Sequence, residues 1–215
     1  MQTVNDFTTT PRLVDLGVVE QLLVEMFDAV ATGLTTATDA FLDGDREAAR
    51  EIVAGDCHVD DLLATLEAMA EHGLLRRGDV PLDDRQLLVY VLRTAPELER
   101  SADLIEHIAL RTPQGLGSLL SERSRALFAE MGAVAASMWR AALEGFVARD
   151  PSVGVMLQLR DESLDDLHVE LTEELAGSSC GPAIAIELGL VARFYERLGD
   201  HAVNVAHRAV SLVGT

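Results

Sequence analysis

No lysine occurs in this 215-residue chain: its 17 basic side chains are all arginine, set against 36 acidic ones for a formal net charge of -19. So acidic a chain is a poor match for DNA, RNA or an anionic membrane surface, because contacts to phosphate need a basic face. Cysteine is scarce as well. Cys57 and Cys180 stand alone, with no CxxC pair, which argues against a disulfide framework and against a thiolate metal site. Aromatic residues are few, and Trp139, Met138 and Phe146 read as core of one helix rather than as a cofactor box. The longest uncharged stretch, Leu175 to Ile186, is interrupted by Gly, Ser and Pro and falls far short of the roughly 20 apolar residues of a membrane span. The polar start, Met1 to Pro11, has neither the basic residues nor the apolar run of a signal peptide, so a cytoplasmic, reducing location is expected.

Strand-like alternation is nowhere sustained. Apolar residues recur instead at three- and four-residue spacing, as in Leu13, Leu16, Val19, Leu23, Met26, Phe27, Val30 and Leu34, the pattern of an amphipathic helix. Breaks at Gly44-Asp45, Gly73 to Pro81, Thr112 to Gly117, Asp150-Pro151 and Gly177 to Pro182 leave six segments. The spacing predicts helices over roughly 14–42, 45–72, 82–111, 117–148, 151–176 and 182–212.

The six read as three plus three. Phe41-Leu42, Asp45 and Asp56 reappear at one constant offset as Phe146-Val147, Asp150 and Asp161. Leu98-Glu99-Arg100 and Asp103 reappear as Tyr195-Glu196-Arg197 and Asp200 at a slightly smaller offset, the difference being absorbed by a shorter second loop. The predicted class is therefore all-α, two tandem three-helix bundle repeats over residues 1–112 and 113–215, with antiparallel neighbours.

Each repeat holds two acidic pairs at i, i+4: Asp56 with Asp60 and Glu99 with Asp103, then Asp161 with Asp165 and Glu196 with Asp200. Such pairs lie on one face of a helix. Counted outward from the first hairpin loop, Asp60 is level with Glu99 and Asp56 with Asp103; counted from Cys180-Gly181, Asp165 is level with Glu196 and Asp161 with Asp200. Four carboxylates at one level repel one another unless a cation neutralises them or their pKa values rise. Oxygen-only ligands suit magnesium, manganese, calcium or iron. The plain alternative is solvated acidic helix faces with no metal, since i, i+4 acids are common on exposed helices.

Around these pairs, Gly199 sits mid-helix at a cost of about 1 kcal/mol relative to Ala, and is expected to allow close packing or access to the carboxylates. His201 points about 100° away from Asp200 and is expected to pack in the hairpin or support the site rather than ligate. Asn204 shares the carboxylate face. Arg100 and Arg197 are expected in surface ion pairs, and Cys57 as a small buried residue. The remaining histidines, His58, His72, His107, His168 and His207, have no metal-ligand spacing.

The run Glu196-Arg197-Leu198-Gly199-Asp200-His201-Ala202-Val203-Asn204 closely resembles the Glu-Arg-x-Gly-Asp-His-Ala-x-Asn signature of the PhoU family. The first repeat carries a weaker version, Glu99-Arg100-Ser101-Ala102-Asp103-Leu104, with Ala102 in place of Gly and Leu104 in place of His. The resemblance implies a cytoplasmic negative regulator that couples a high-affinity phosphate ABC transporter to a sensor histidine kinase and restrains the phosphate-starvation response. It further implies iron, zinc, magnesium or manganese held by the eight paired carboxylates, and a homodimer. Clustered carboxylates with metal also serve hydrolases and oxidases, the alternative reading. Against it, the chain has no Glu-x-x-His pair in these helices, no phosphate-cradling glycine loop and no evident nucleophile, so a non-enzymatic role is expected.

Overall fold

The computed structural model describes residues 14–75, 80–178 and 180–212; the N-terminal stretch that lacks the pattern of a signal peptide lies outside the described residues. Long helices dominate: α1 (Leu16–Asp43), α2 (Arg46–Leu74), α3 (Leu82–Ala109), α4 (Glu122–Ala148), α5 (Val153–Gly177) and α6 (Pro182–Ala209). Among the described residues there is no strand.

The boundaries follow local chemistry. Asp15 caps α1 by accepting from the backbone N–H of Gly17 and Val18 at 3.0 and 3.3 Å. Gly44 then ends the helix in the left-handed region at φ 73°, where a Cβ would be strained, and Asp45 at once caps α2 through Glu47 and Ala48. Pro182 opens α6 at its first turn, where a missing N–H costs nothing.

Two boundaries depart from the sequence expectation. The helical spacing starts the fourth helix at residue 117, yet Leu116–Leu119 forms a short 3₁₀ turn and α4 starts only at Glu122, after Ser121, which accepts from the N–H of Ser124. Gly117 explains the turn: a Cβ there would lie 2.3 Å from the Phe41 carbonyl oxygen, so backbone packs directly on backbone at the joint between repeats. At the other end α6 stops at Ala209 and the chain tightens into a 3₁₀ turn, Val210–Leu212.

Helices α1, α3, α4 and α6 form the inner bundle; α2 packs chiefly on α1 and α3, and α5 on α4 and α6. One apolar cluster draws on all six helices. Tyr90 stacks on Phe146 at 5.3 Å, Phe146 on Phe27 at 5.8 Å, and Phe27 meets Trp139 at 6.2 Å, linking α1, α3 and α4. Trp139, Met138 and Phe146 are all core, in line with their sequence pattern. The outer helix α5 buries little more than Leu157, Leu164, Leu171 and Leu175, so its remaining faces are free to carry charge.

Candidate metal centre

The outer helices supply one carboxylate pair and the inner helices the other. In the first repeat Asp56 of α2 feels Asp103 and Asp60, and Glu99 of α3 feels Asp103, Asp60 and Asp56. Burial, more than any neighbour, holds both carboxyls above their usual range, and the surrounding acids push the same way. In the second repeat Asp161 of α5 is held up at about 6, first by burial and then by Asp200, Asp165 and Glu196. Burial also raises Glu196, against the pull of Arg193 one turn earlier, which pairs with Glu196 Oε1. All eight carboxylates singled out from the sequence thus lie in two groups, one on each α2/α3-type hairpin.

The groups are not alike. Asp161 Oδ1 and Glu196 Oε2 are buried without a hydrogen-bond partner, although an orphaned acceptor in such a place costs about 1–3 kcal/mol. Gly199 leaves the space that Asp161 enters: a Cβ there would meet Asp161 Oδ1 and Leu164 Cδ2, each at 2.6 Å. In the first repeat Ala102 occupies the corresponding position, and none of the four carboxylates is orphaned in this way among the described residues. Unpartnered, crowded, hard oxygen donors fit a hard cation, so the second group suits a metal better than the first. Among the described residues, no three His, Cys, Asp or Glu side chains converge on one preformed position. Holding an ion therefore requires rotamer shifts that bring the facing pairs together.

Other expectations resolve differently. His201 is buried, but it packs against α3 of the other repeat rather than within its own hairpin. Its Nδ1 lies 2.9 Å from Ser101 Oγ, and because Ser101 donates to the Glu97 carbonyl at 2.7 Å, the imidazole is the donor in that contact. Glu97 also accepts from Arg208 at 2.7 Å, so a buried polar network joins α3 to α6 across the two repeats. Burial lowers the His201 pKa, with Glu97 opposing. Cys57 is exposed, not buried, because it lies on the solvent side of α2, away from the Val59 and Leu62 stripe. Asn204 is exposed on α6. Arg100 and Arg197 are not in the ion pairs expected of them: neither forms one with a described residue, whereas Arg111, Arg123, Arg125, Arg149, Arg193 and Arg208 all do.

Two charged groups of the site do not stand out in the sequence. Glu106 is the strongest like-charge neighbour of Asp56, and the signal for it is its place one turn beyond Asp103 on the same face of α3. Arg193 precedes Glu196 by three residues, the spacing of an ion pair along one helix face.

The model of the PhoU domain matches the chain twice, over residues 23–112 and 128–209. The chain belongs to the PhoU family. A phosphate-specific transport system accessory protein, PhoU homolog 2 of Mycobacterium tuberculosis, is 31% identical over 204 residues, covering 91% of this chain and 92% of its own. A PhoU homolog of Zymomonas mobilis is 30% identical and covers 89% of this chain and 82% of its own. The crystal structure of PhoU from Pseudomonas aeruginosa superposes with a TM-score of 0.83 at 23% identity, over 92% of this chain and 96% of that one, which shows the fold. No helix among the described residues is long and apolar enough to cross a membrane.

Two predictions arise from the second PhoU site. Gly199→Ala gains helix propensity of about 1 kcal/mol but overpacks by a similar amount, so thermal stability changes little. If the carboxylates hold metal, its affinity is expected to fall about tenfold, because the new methyl displaces Asp161; calorimetric titration with manganese reads this. In chelator-treated protein, the raised Asp161 pKa means that the folded state binds its proton more tightly than the unfolded chain. The contribution of Asp161 to stability is thus greatest below the ordinary value of 3.8 and is lost as pH rises through about 6. Asp161→Asn flattens that decline, as urea midpoints across pH 4 to 7 would record.

Proposed function

We propose that this chain is a cytoplasmic, non-enzymatic regulator of phosphate uptake, a negative regulator of the phosphate-starvation response that acts by binding partners. The observation that carries the reading is the likeness to accessory proteins of phosphate-specific transport systems along nearly the whole length of both chains. Its partners are the cytoplasmic side of a phosphate ABC transporter and a sensor histidine kinase, and it works as a homodimer of two-repeat chains divided at residue 112. Long, exposed faces on α2 and α5 offer surface for such docking, including Val155, Leu159 and Val169 on α5.

Asp161, Asp165, Glu196 and Asp200 hold metal in the second repeat, and Asp56, Asp60, Glu99 and Asp103 hold it in the first, with iron, zinc, magnesium or manganese as the candidate ions. The ion supplies positive charge that offsets the mutual repulsion of the acids. The protein's part is to position the donors: Leu164 and Gly199 set the depth of Asp161, and Arg193 holds one oxygen of Glu196 while the other stays free. The test is inactivation of the gene, with phosphate uptake and transporter-gene transcription measured in phosphate-rich medium. Both rise several-fold and return to normal with the intact chain. Unchanged uptake and transcription would overturn the proposal.

A further inference from the structure

Two of the arginines that form no ion pair with a described residue line one cleft. Arg100 of α3 and Arg197 of α6 are equivalent residues of the two repeats, each following the glutamate of its motif. The carboxylate pairs turn into separate hairpins, but α3 packs on α6, so the arginines line one cleft of about 310 Å³. Both are exposed at its mouth. Arg111 and Phe194 form a wall: the Arg111 guanidinium lies 5.0 Å over the Phe194 ring, while its Nε donates to Glu187 and its Nη1 to the His107 carbonyl. The His107 ring stands 5.7 Å from Phe194 on the same cleft.

Two guanidinium groups that line one cleft without an ion-pair partner among the described residues repel, and the compensation they call for is an anion between them. Planar guanidinium forks match tetrahedral oxyanions through paired N–H···O bonds, better than they match chloride. Asp103 on the rim opposes any anion, so the attraction of the guanidinium forks must outweigh its charge. We propose that this cleft binds a phosphoryl oxyanion, either free inorganic phosphate or a phosphate monoester whose organic part rests on Phe194. The arginine geometry carries this assignment independently of the chain's role in transport.

The experiment is calorimetric titration of the full chain at constant ionic strength, in a buffer free of phosphate, with inorganic phosphate and with phenyl phosphate as separate probes. It is run as purified and again after chelation, which separates the cleft from any ion on the carboxylates. The expected result is one saturable site that persists after chelation and weakens about a hundredfold in R100Q/R197Q, at roughly tenfold for each guanidinium removed. Both side chains are exposed, so the variant keeps its fold, which circular dichroism verifies. Saturation by inorganic phosphate identifies the free ion; saturation by phenyl phosphate alone identifies a monoester. No saturable site for either probe, or equal binding by R100Q/R197Q, overturns the proposal.

Discussion

Trp139→Ala lowers the unfolding free energy by about 3–5 kcal/mol, a large share of the total for an ordinary domain. Trp139 is fully buried on α4, and its ring meets Phe27 of α1, which in turn stacks on Phe146. Removing it opens a cavity where the two repeats share their core, and long helices fixed at both ends collapse poorly into such a gap. Its Nε1–H is buried without an acceptor, so Trp139→Phe, which deletes that orphan donor, loses much less. Urea unfolding followed by circular dichroism measures both. A loss below about 1 kcal/mol for the alanine variant would mean that the repeats do not depend on this packing.

The second large effect is expected at the proposed metal sites. Manganese added to chelator-treated protein at about a hundred times its dissociation constant stabilises the fold by about 2.7 kcal/mol, a rise of roughly 5 to 10 °C in Tm. The gain concentrates in the second repeat, where Asp161 and Glu196 each leave a buried oxygen unpartnered. Asp161→Asn with Glu196→Gln therefore cuts the rise by more than half, while Asp56→Asn with Glu99→Gln cuts it by less. Equal losses would show that burial and the Gly199 space do not set the strength of the site. No rise at all would leave the acids as solvated helix faces.

Much of this is legible in the sequence because helical period and antiparallel pairing are local rules. Heights counted from the hairpin loops place Asp56 by Asp103 and Asp161 by Asp200, and after burial those same neighbours are among the causes that raise the Asp56 and Asp161 carboxyls. Packing between repeats follows no such count. Ser101, His201, Glu97 and Arg208 come together only because α3 lies on α6, and Arg100 and Arg197 line one cleft for the same reason. Cys57 departs from expectation for a smaller reason: its apolar character suggests burial, although the helical period puts that position on the solvent face of α2. The late start of α4 turns on a backbone contact at Gly117, which no pattern of side chains reveals.

Whether the two carboxylate groups are metal sites is decided by elemental analysis of protein purified without a metal-binding tag, comparing the intact chain with a Glu196→Ala, Asp200→Ala double variant. The intact chain is expected to carry at least one ion per carboxylate group, and the variant to lack the second-repeat ions. An intact chain that neither retains nor takes up metal, or a variant that holds as much as its parent, would contradict the assignment of these acids as ligands.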